Sequence, residues 1–148
     1  MATPKENIAI AKNMYGLFND RKLDELTKCV TNDVTWTNLA TGETFKGPSG
    51  FREFCQKWIT AFSDCRVDLQ NQVADEGTVV SEFIGRGIHD GPMTTPQGTI
   101  APTKKKIEVR FCEILRLTNG KVSEAHLYFD TATMLRQLGV SPEAIGSR

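Results

Sequence analysis

Polar and apolar positions along this chain change period several times, and each change predicts an element. Between about Lys5 and Asn19, Ile8, Ala11, Tyr15 and Phe18 recur at the spacing of one helix face. Asp20-Arg21-Lys22 interrupts the pattern, and Leu23, Leu26, Cys29 and Val30 continue it as a shorter second helix that Asn32-Asp33 ends. The period then falls to two, so Val34, Trp36 and Asn38 share one face of a predicted strand. Ala40 to Gly50 is turn-rich. Ser49 can cap a third helix, whose stripe of Phe51, Phe54, Cys55, Trp58, Ile59 and Phe62 is first of all a core face.

Alternation returns near Cys65, with Val67, Leu69, Asn71 and Val73 in step. Asp75-Glu76-Gly77 turns the chain into a strand running from Thr78 to His89. Gly85 and Gly87 within it predict a bend or bulge, as a curved sheet needs. Asp90 to Thr103 is rich in Gly, Pro and Thr without periodicity and reads as a long loop, the kind that often serves as a lid or binding loop. From Lys105 a strand places Val109, Phe111, Glu113, Leu115 and Leu117 on one face, and Arg110, Cys112, Ile114 and Arg116 on the other. A second strand follows, then a helix that Asp130 caps and Gly139 stops, with Met134, Leu135 and Leu138 as its stripe. Ser141-Pro142-Glu143 starts one further short turn or helix. Helices laid on one side of a curved, largely antiparallel sheet make an α+β fold.

Asn119-Gly120 is a strong hairpin signal, because both residues tolerate positive φ. A two-residue turn sets Glu113 opposite His126 and Phe111 opposite Tyr128. A three-residue turn with Gly120 in a bulge sets Glu113 opposite Ala125, Phe111 opposite Leu127 and Val109 opposite Phe129. The second register leaves one face apolar except for Glu113 and gathers Arg110, Arg116, Glu124, His126 and Tyr128 on the other. A buried face specifies register, so the bulged turn is preferred.

At 148 residues the chain is long enough for a proper core and reads as a single domain. Eighteen basic and 18 acidic side chains cancel, which argues against a nucleic-acid partner; Lys104-Lys105-Lys106 reads as a solvated strand start. No apolar run is long enough to span a bilayer, and no signal-peptide core precedes the first helix, so a cytoplasmic setting is the expectation. Cys29, Cys55, Cys65 and Cys112 lack zinc-site spacing, and Cys55 and Cys112 read as small buried hydrophobes. No phosphate loop, Cys/His dyad or nucleotide fingerprint appears, so neither a cofactor nor a metal is expected.

Glu113 is the candidate acid/base: buried among Phe111, Leu115 and Leu127, its carboxyl would hold its proton to higher pH. His89 follows the glycine-bent strand and is a candidate for a pocket mouth. Tyr15, Trp36, Asn38, Trp58 and Phe62 are candidate pocket walls, equally compatible with plain core. Asn38 stands out among them, since a buried amide needs partners and a ligand oxygen can supply one. Asp130 reads as a helix cap, and Glu82 with Arg110 as a surface ion pair.

Several segments together resemble the SnoaL-like polyketide cyclase family: YGLFNDRKLDEL, DVTW, FKGPSGFREF, GRGIHDG, NGKVSE and FDTATMLRQLG, in that order, from about residue 6 to residue 139. The resemblance implies a cone-shaped α+β barrel of the nuclear-transport-factor type, with an apolar pocket on the face of Phe111, Glu113, Leu127 and Phe129. It also implies a homodimer through the outer sheet face. In the cyclases an aspartate three residues before the helix-opening aspartate drives an aldol closure; counted back from Asp130, that position is Leu127. A histidine of the preceding strand is replaced by Glu113. Two readings follow for a pocket that takes a small apolar, oxygenated molecule. One is a cofactor-free cyclase, isomerase or hydratase using Glu113, and the other a non-catalytic binding or assembly module.

Overall fold

The computed structural model describes residues 2–141, so the reading at Pro142 and Glu143 lies outside the described residues. Helix α1 (Pro4–Asn19) starts at a capping box: Glu6 N donates to Thr3 Oγ1 (3.1 Å) and Thr3 N donates back to Glu6 Oε1 (2.8 Å). Helix α2 is a single turn, Leu23–Thr27. It is shorter than the apolar spacing predicts, because Val30 already belongs to strand β1 (Val30–Asn38). The turn-rich stretch holds a strand the alternation does not reveal, β2 (Glu43–Lys46). Helix α3 (Gly47–Ala61) is entered from Lys46 with Pro48 in its first turn, and Ser49 is already inside it rather than at its cap.

Strands β3 (Arg66–Ala74) and β4 (Thr78–Ile88) form a long hairpin. The following loop is not structureless: β5 (Met93–Thr95) and β6 (Gly98–Ile100) pair within it as a small hairpin of their own. Strands β7 (Lys106–Thr118) and β8 (Lys121–Phe129) and helix α4 (Thr131–Leu138) complete the chain. Asp130 caps α4 by accepting from Ala132 N, and Gly139 ends it at φ 72°.

The six large strands order as β2-β1-β8-β7-β4-β3, antiparallel throughout except for β1 beside β8. The buried residues of α1, α3 and α4 and the inner faces of β1, β4, β7 and β8 make one apolar core. This is an α+β fold with helices against a curved sheet. Cys55 is buried in that core, but Cys112 lies on the outer face, half-buried between Glu82 and Tyr128, and is not a core residue.

The hairpin register corrects both sequence readings. Thr118 pairs with Lys121 across a two-residue turn, with Asn119 at φ 53° and Gly120 at φ 79°. The bulge comes later, at Ser123, whose hydroxyl accepts from Thr118 Oγ1 (3.0 Å) and donates to the Arg116 carbonyl (3.3 Å). Beyond it Glu113 faces Leu127, not Ala125 or His126. The added residue keeps Val122, Ala125 and Leu127 all buried, so the apolar face is the expected one although its partners differ.

Gly85 and Gly87 make no bulge either; the β4–β7 ladder runs unbroken through both. They allow close approach. A Cβ on Gly85 would lie 2.5 Å from Phe111 Cε1, and one on Gly87 3.0 Å from Phe62 Cβ. The break in this hairpin lies in β3, where the register shifts between Leu69 and Asn71.

Candidate functional site

Glu113 sits mid-strand on the inner face of β7, 3 % exposed. Tyr15 reaches it from α1 and donates its hydroxyl to Oε1 at 2.8 Å. Trp36 reaches it from β1 and donates its indole N–H to Oε2 at 3.1 Å. These partners lie 98 and 77 residues away in sequence. Burial drives the Glu113 carboxyl up from 4.5 to about 7, and the two donors, which favour the ionised form, pull the other way. Burial first, and the neighbouring carboxylate second, push the Tyr15 phenol well above its ordinary range.

The aromatic cage around this carboxyl is tightly coupled. Phe51 stacks on Trp36 at 4.2 Å between centroids, and Phe83 lies 5.3 Å from Tyr15 and 5.1 Å from Phe111. Together they enclose a cavity of about 90 Å³ lined by Glu113, Tyr15, Trp36, Trp58, Phe111 and Leu127 among others. Phe62, Arg66 and Arg86 also line it. Arg86 is held between Asp68 (2.5 Å) and Glu108 (2.8 Å), and Arg66 pairs with Asp68 (3.0 Å), so these charges are paired. Cys55 on the wall is kept protonated by burial.

A second cavity of about 60 Å³ lies behind the Phe54 and Trp58 side chains, which line both. Asn38 and Phe129 belong to this one, with Glu43, Lys57 and Thr95. Asn38 is 6 % exposed. Its Oδ1 accepts from Ala40 N at 3.0 Å in the turn after β1, which fixes the amide so that Nδ2 is the remaining end.

Of the residues singled out from sequence, Glu113, Tyr15, Trp36, Trp58, Phe62, Phe111 and Leu127 therefore meet around one cavity, while Asn38 and Phe129 line its neighbour. His89 lines neither. It is fully buried against Phe62 (5.2 Å between centroids), and its Nδ1 accepts from Thr103 N at 3.1 Å, tying down the β5–β6 loop. Its low pKa follows from burial. Glu82 bonds to Asn71 (3.3 Å) on the outer face rather than to Arg110. Sequence reasoning did not single out Phe83, although its place two residues from Gly85 on an alternating strand carries the signal. Nor did it single out Lys57 and Glu43, whose 3.0 Å ion pair joins a helix to a strand it did not foresee.

The registers reveal one further feature. Glu43, Asn38, Leu127, Glu113, Ser81 and Gln72 form a single rung across all six strands, each directly opposite the next. Directly opposed residues share a face. Five of the six are polar, Leu127 being the apolar member, and Gln72 Nε2 donates to Ser81 Oγ at 3.0 Å at the far end. Among the described residues no group of three or more His, Cys, Asp or Glu side chains is placed to hold a metal ion, and no helix is long and apolar enough to cross a membrane.

Solved structures of similar shape include a proposed SnoaL-like polyketide cyclase from Jannaschia sp. CCS1, with a TM-score of 0.83 at 16 % identity, covering 96 % of this chain and 97 % of that one. AclR, a proposed hydroxylase from Streptomyces galilaeus, gives 0.79 at 20 % identity, with 95 % and 85 % covered. IdmH, a proposed polyketide cyclase from Streptomyces antibioticus, gives 0.76 at 22 % identity, with 90 % and 99 % covered. At such identities they establish the cone fold of these proteins and no more. No curated protein is a significant match. The sequence signature of one family matches residues 9–138, nearly all of the cone and both strands that carry Glu113 and Leu127. This chain belongs to the SnoaL-like polyketide cyclase family.

Proposed function

We propose that this protein is a cofactor-independent acid/base enzyme acting on a small, apolar, oxygenated molecule, with Glu113 as the group that moves the proton. One observation carries the reading: a carboxyl buried to 3 % exposure forms part of the wall of an apolar cavity, and that burial pushes its pKa up to about 7. A general base works best when its pKa lies near the operating pH, and burial has brought Glu113 there.

In the proposed reaction the ionised carboxylate removes a proton from carbon next to a carbonyl. The bonding pair moves into the carbonyl, and an enolate oxygen forms. Neutralised Glu113 accepts hydrogen bonds more weakly, which frees the Tyr15 hydroxyl to turn to that oxygen. The enolate carbon then adds to a second carbonyl carbon, whose π pair moves to its oxygen and takes the proton back from Glu113. Where a double bond is conjugated, the dienolate is instead reprotonated at its far carbon by the same carboxyl; cyclisation and isomerisation share the first step. Leu127 stands where the resemblance places the cyclase aspartate, directly opposite Glu113. The acid/base has thus moved one strand along the rung.

The test uses cyclopentanone in D2O and follows exchange of its α-hydrogens by NMR. The expected result is exchange accelerated by the protein, rising through an apparent pKa near 7 and falling a hundredfold or more in Glu113→Gln. Exchange unchanged in that variant would remove the catalytic reading and leave a binding module, which Leu127 at the cyclase position favours.

A further inference from the structure

We propose that the Asn38 chamber is the second half of the same site. It recognises a neutral carbonyl oxygen on a ligand whose reacting carbon lies at Glu113, and Trp58 is the movable partition between the halves. The proposal rests on the acid/base reading only for what happens at the Glu113 end.

Size comes first. The two chambers, about 90 Å³ and about 60 Å³, adjoin, so a ligand longer than either lies in both. They are separated by side chains and not by backbone: Phe54 and Trp58 line both, and Trp58 is half-buried, in edge contact with Phe111 (5.7 Å) on one side and Phe129 (5.6 Å) on the other.

Placement comes second. Asn38 and Glu113 stand on one rung with only Leu127 between them, two strand spacings or about 10 Å apart along the sheet. Leu127 gives an apolar floor for the ligand body that joins the two polar ends.

The chemistry of the Asn38 end names the oxygen. Because Oδ1 is held by Ala40 N–H, the amide offers only its two N–H donors, and among the described residues Nδ2 makes no hydrogen bond. Glu43 accepts from Thr41 Oγ1 (3.0 Å) on one oxygen and from Lys57 Nζ (3.0 Å) on the other. The chamber therefore has donors to spare, and its charges cancel. A ketone, ester or amide carbonyl meets that demand. A carboxylate would bring an uncompensated charge beside Glu43, whereas a carbonyl accepts the free amide donors and asks for no acceptor in return.

The experiment measures, by calorimetry, the dissociation constants of benzylacetone and of isopentylbenzene, its shape-matched hydrocarbon. Apolar burial is common to both, so their ratio isolates the carbonyl. In Asn38→Leu and in Asn38→Asp the ratio should shift about tenfold against the ketone, the worth of one good hydrogen bond. Asn38→Asp keeps an acceptor for Ala40 N–H, which guards against a turn that fails to form. In Glu113→Gln the ratio should stay where it is, even if proton exchange is lost. A ratio unmoved in both Asn38 variants, a shift that follows Glu113→Gln instead, or no binding of benzylacetone to the unaltered protein would each overturn the proposal. Failure of the acid/base reading shows separately, as cyclopentanone exchange that survives Glu113→Gln.

Discussion

The two chambers share Phe54 and Trp58 yet hold their polar groups in opposite ways. In the first, a titratable carboxyl is stripped of water and given two donors, so its charge is costly and easily switched. In the second, the charged pair is already neutralised and the amide is pinned by a backbone turn. The first arrangement suits a proton in motion, and the second a fixed oxygen. A low dielectric environment activates a group only where its charge lacks a full counter-ion.

The largest test of that contrast is thermodynamic. The folded chain holds the Glu113 proton from about 4.5 up to about 7, where the unfolded chain has released it. In that window the native state binds more protons, so stability falls as pH rises through it and levels off above. The expected loss is about 3 kcal/mol between the two ends. Urea melts of the protein at pH 5 and pH 8, compared with Glu113→Gln at the same pH values, should show the parent losing stability relative to the variant on going to pH 8. A difference independent of pH would mean that Glu113 is not held as a neutral acid, and the first chamber would lose its distinction from the second.

Next in size is a packing change confined to the first chamber. Gly85→Ala brings a Cβ to within 2.5 Å of Phe111 Cε1, so the ring must move toward the cavity it lines. A stability loss of about 2 kcal/mol is expected, with weaker binding of cyclopentanone. A variant as stable as the parent would show that the Phe111 ring has room to spare.

Glu113 and most of its cage were legible because period-two alternation assigns a face whatever the exact partner. The Ser123 bulge moved every pairing of β8 beyond it while leaving Val122, Ala125 and Leu127 inward, so the apolar face was foreseen and the partners were not. A jump of three between Val122 and Ala125 was the available sign. Val30 reads as helical because Leu26 and Val30 lie four apart, a spacing that a single turn followed by a strand also satisfies. Strand β2 is only four residues between Gly42 and Gly47, and the β5–β6 hairpin is short and rich in Thr, so both read as loop; pairing partners hold them, not local preference. Asn38 was placed on the right face, but its own chamber was invisible. That division depends on where Trp58 of α3 falls between two strands, a tertiary fact with no local signal.

The smallest effect separates the two donors on Glu113. Tyr15→Phe removes the 2.8 Å bond and Trp36→Phe the 3.1 Å bond, each of which favours the ionised carboxyl. Loss of a hydrogen bond to a charged group should therefore raise the Glu113 pKa above about 7, by about one unit for Tyr15→Phe and by less for Trp36→Phe. Carbon-13 NMR of the labelled glutamate carboxyl, followed through a pH titration, reads both shifts directly. The ordering matters because the mechanism asks Tyr15, and not Trp36, to leave the carboxyl when the proton arrives. Trp36 is clamped by its stack on Phe51 and has little freedom to turn. Should Trp36→Phe produce the larger shift, the indole is the dominant partner of the anion, and the enolate oxygen would need a donor other than Tyr15.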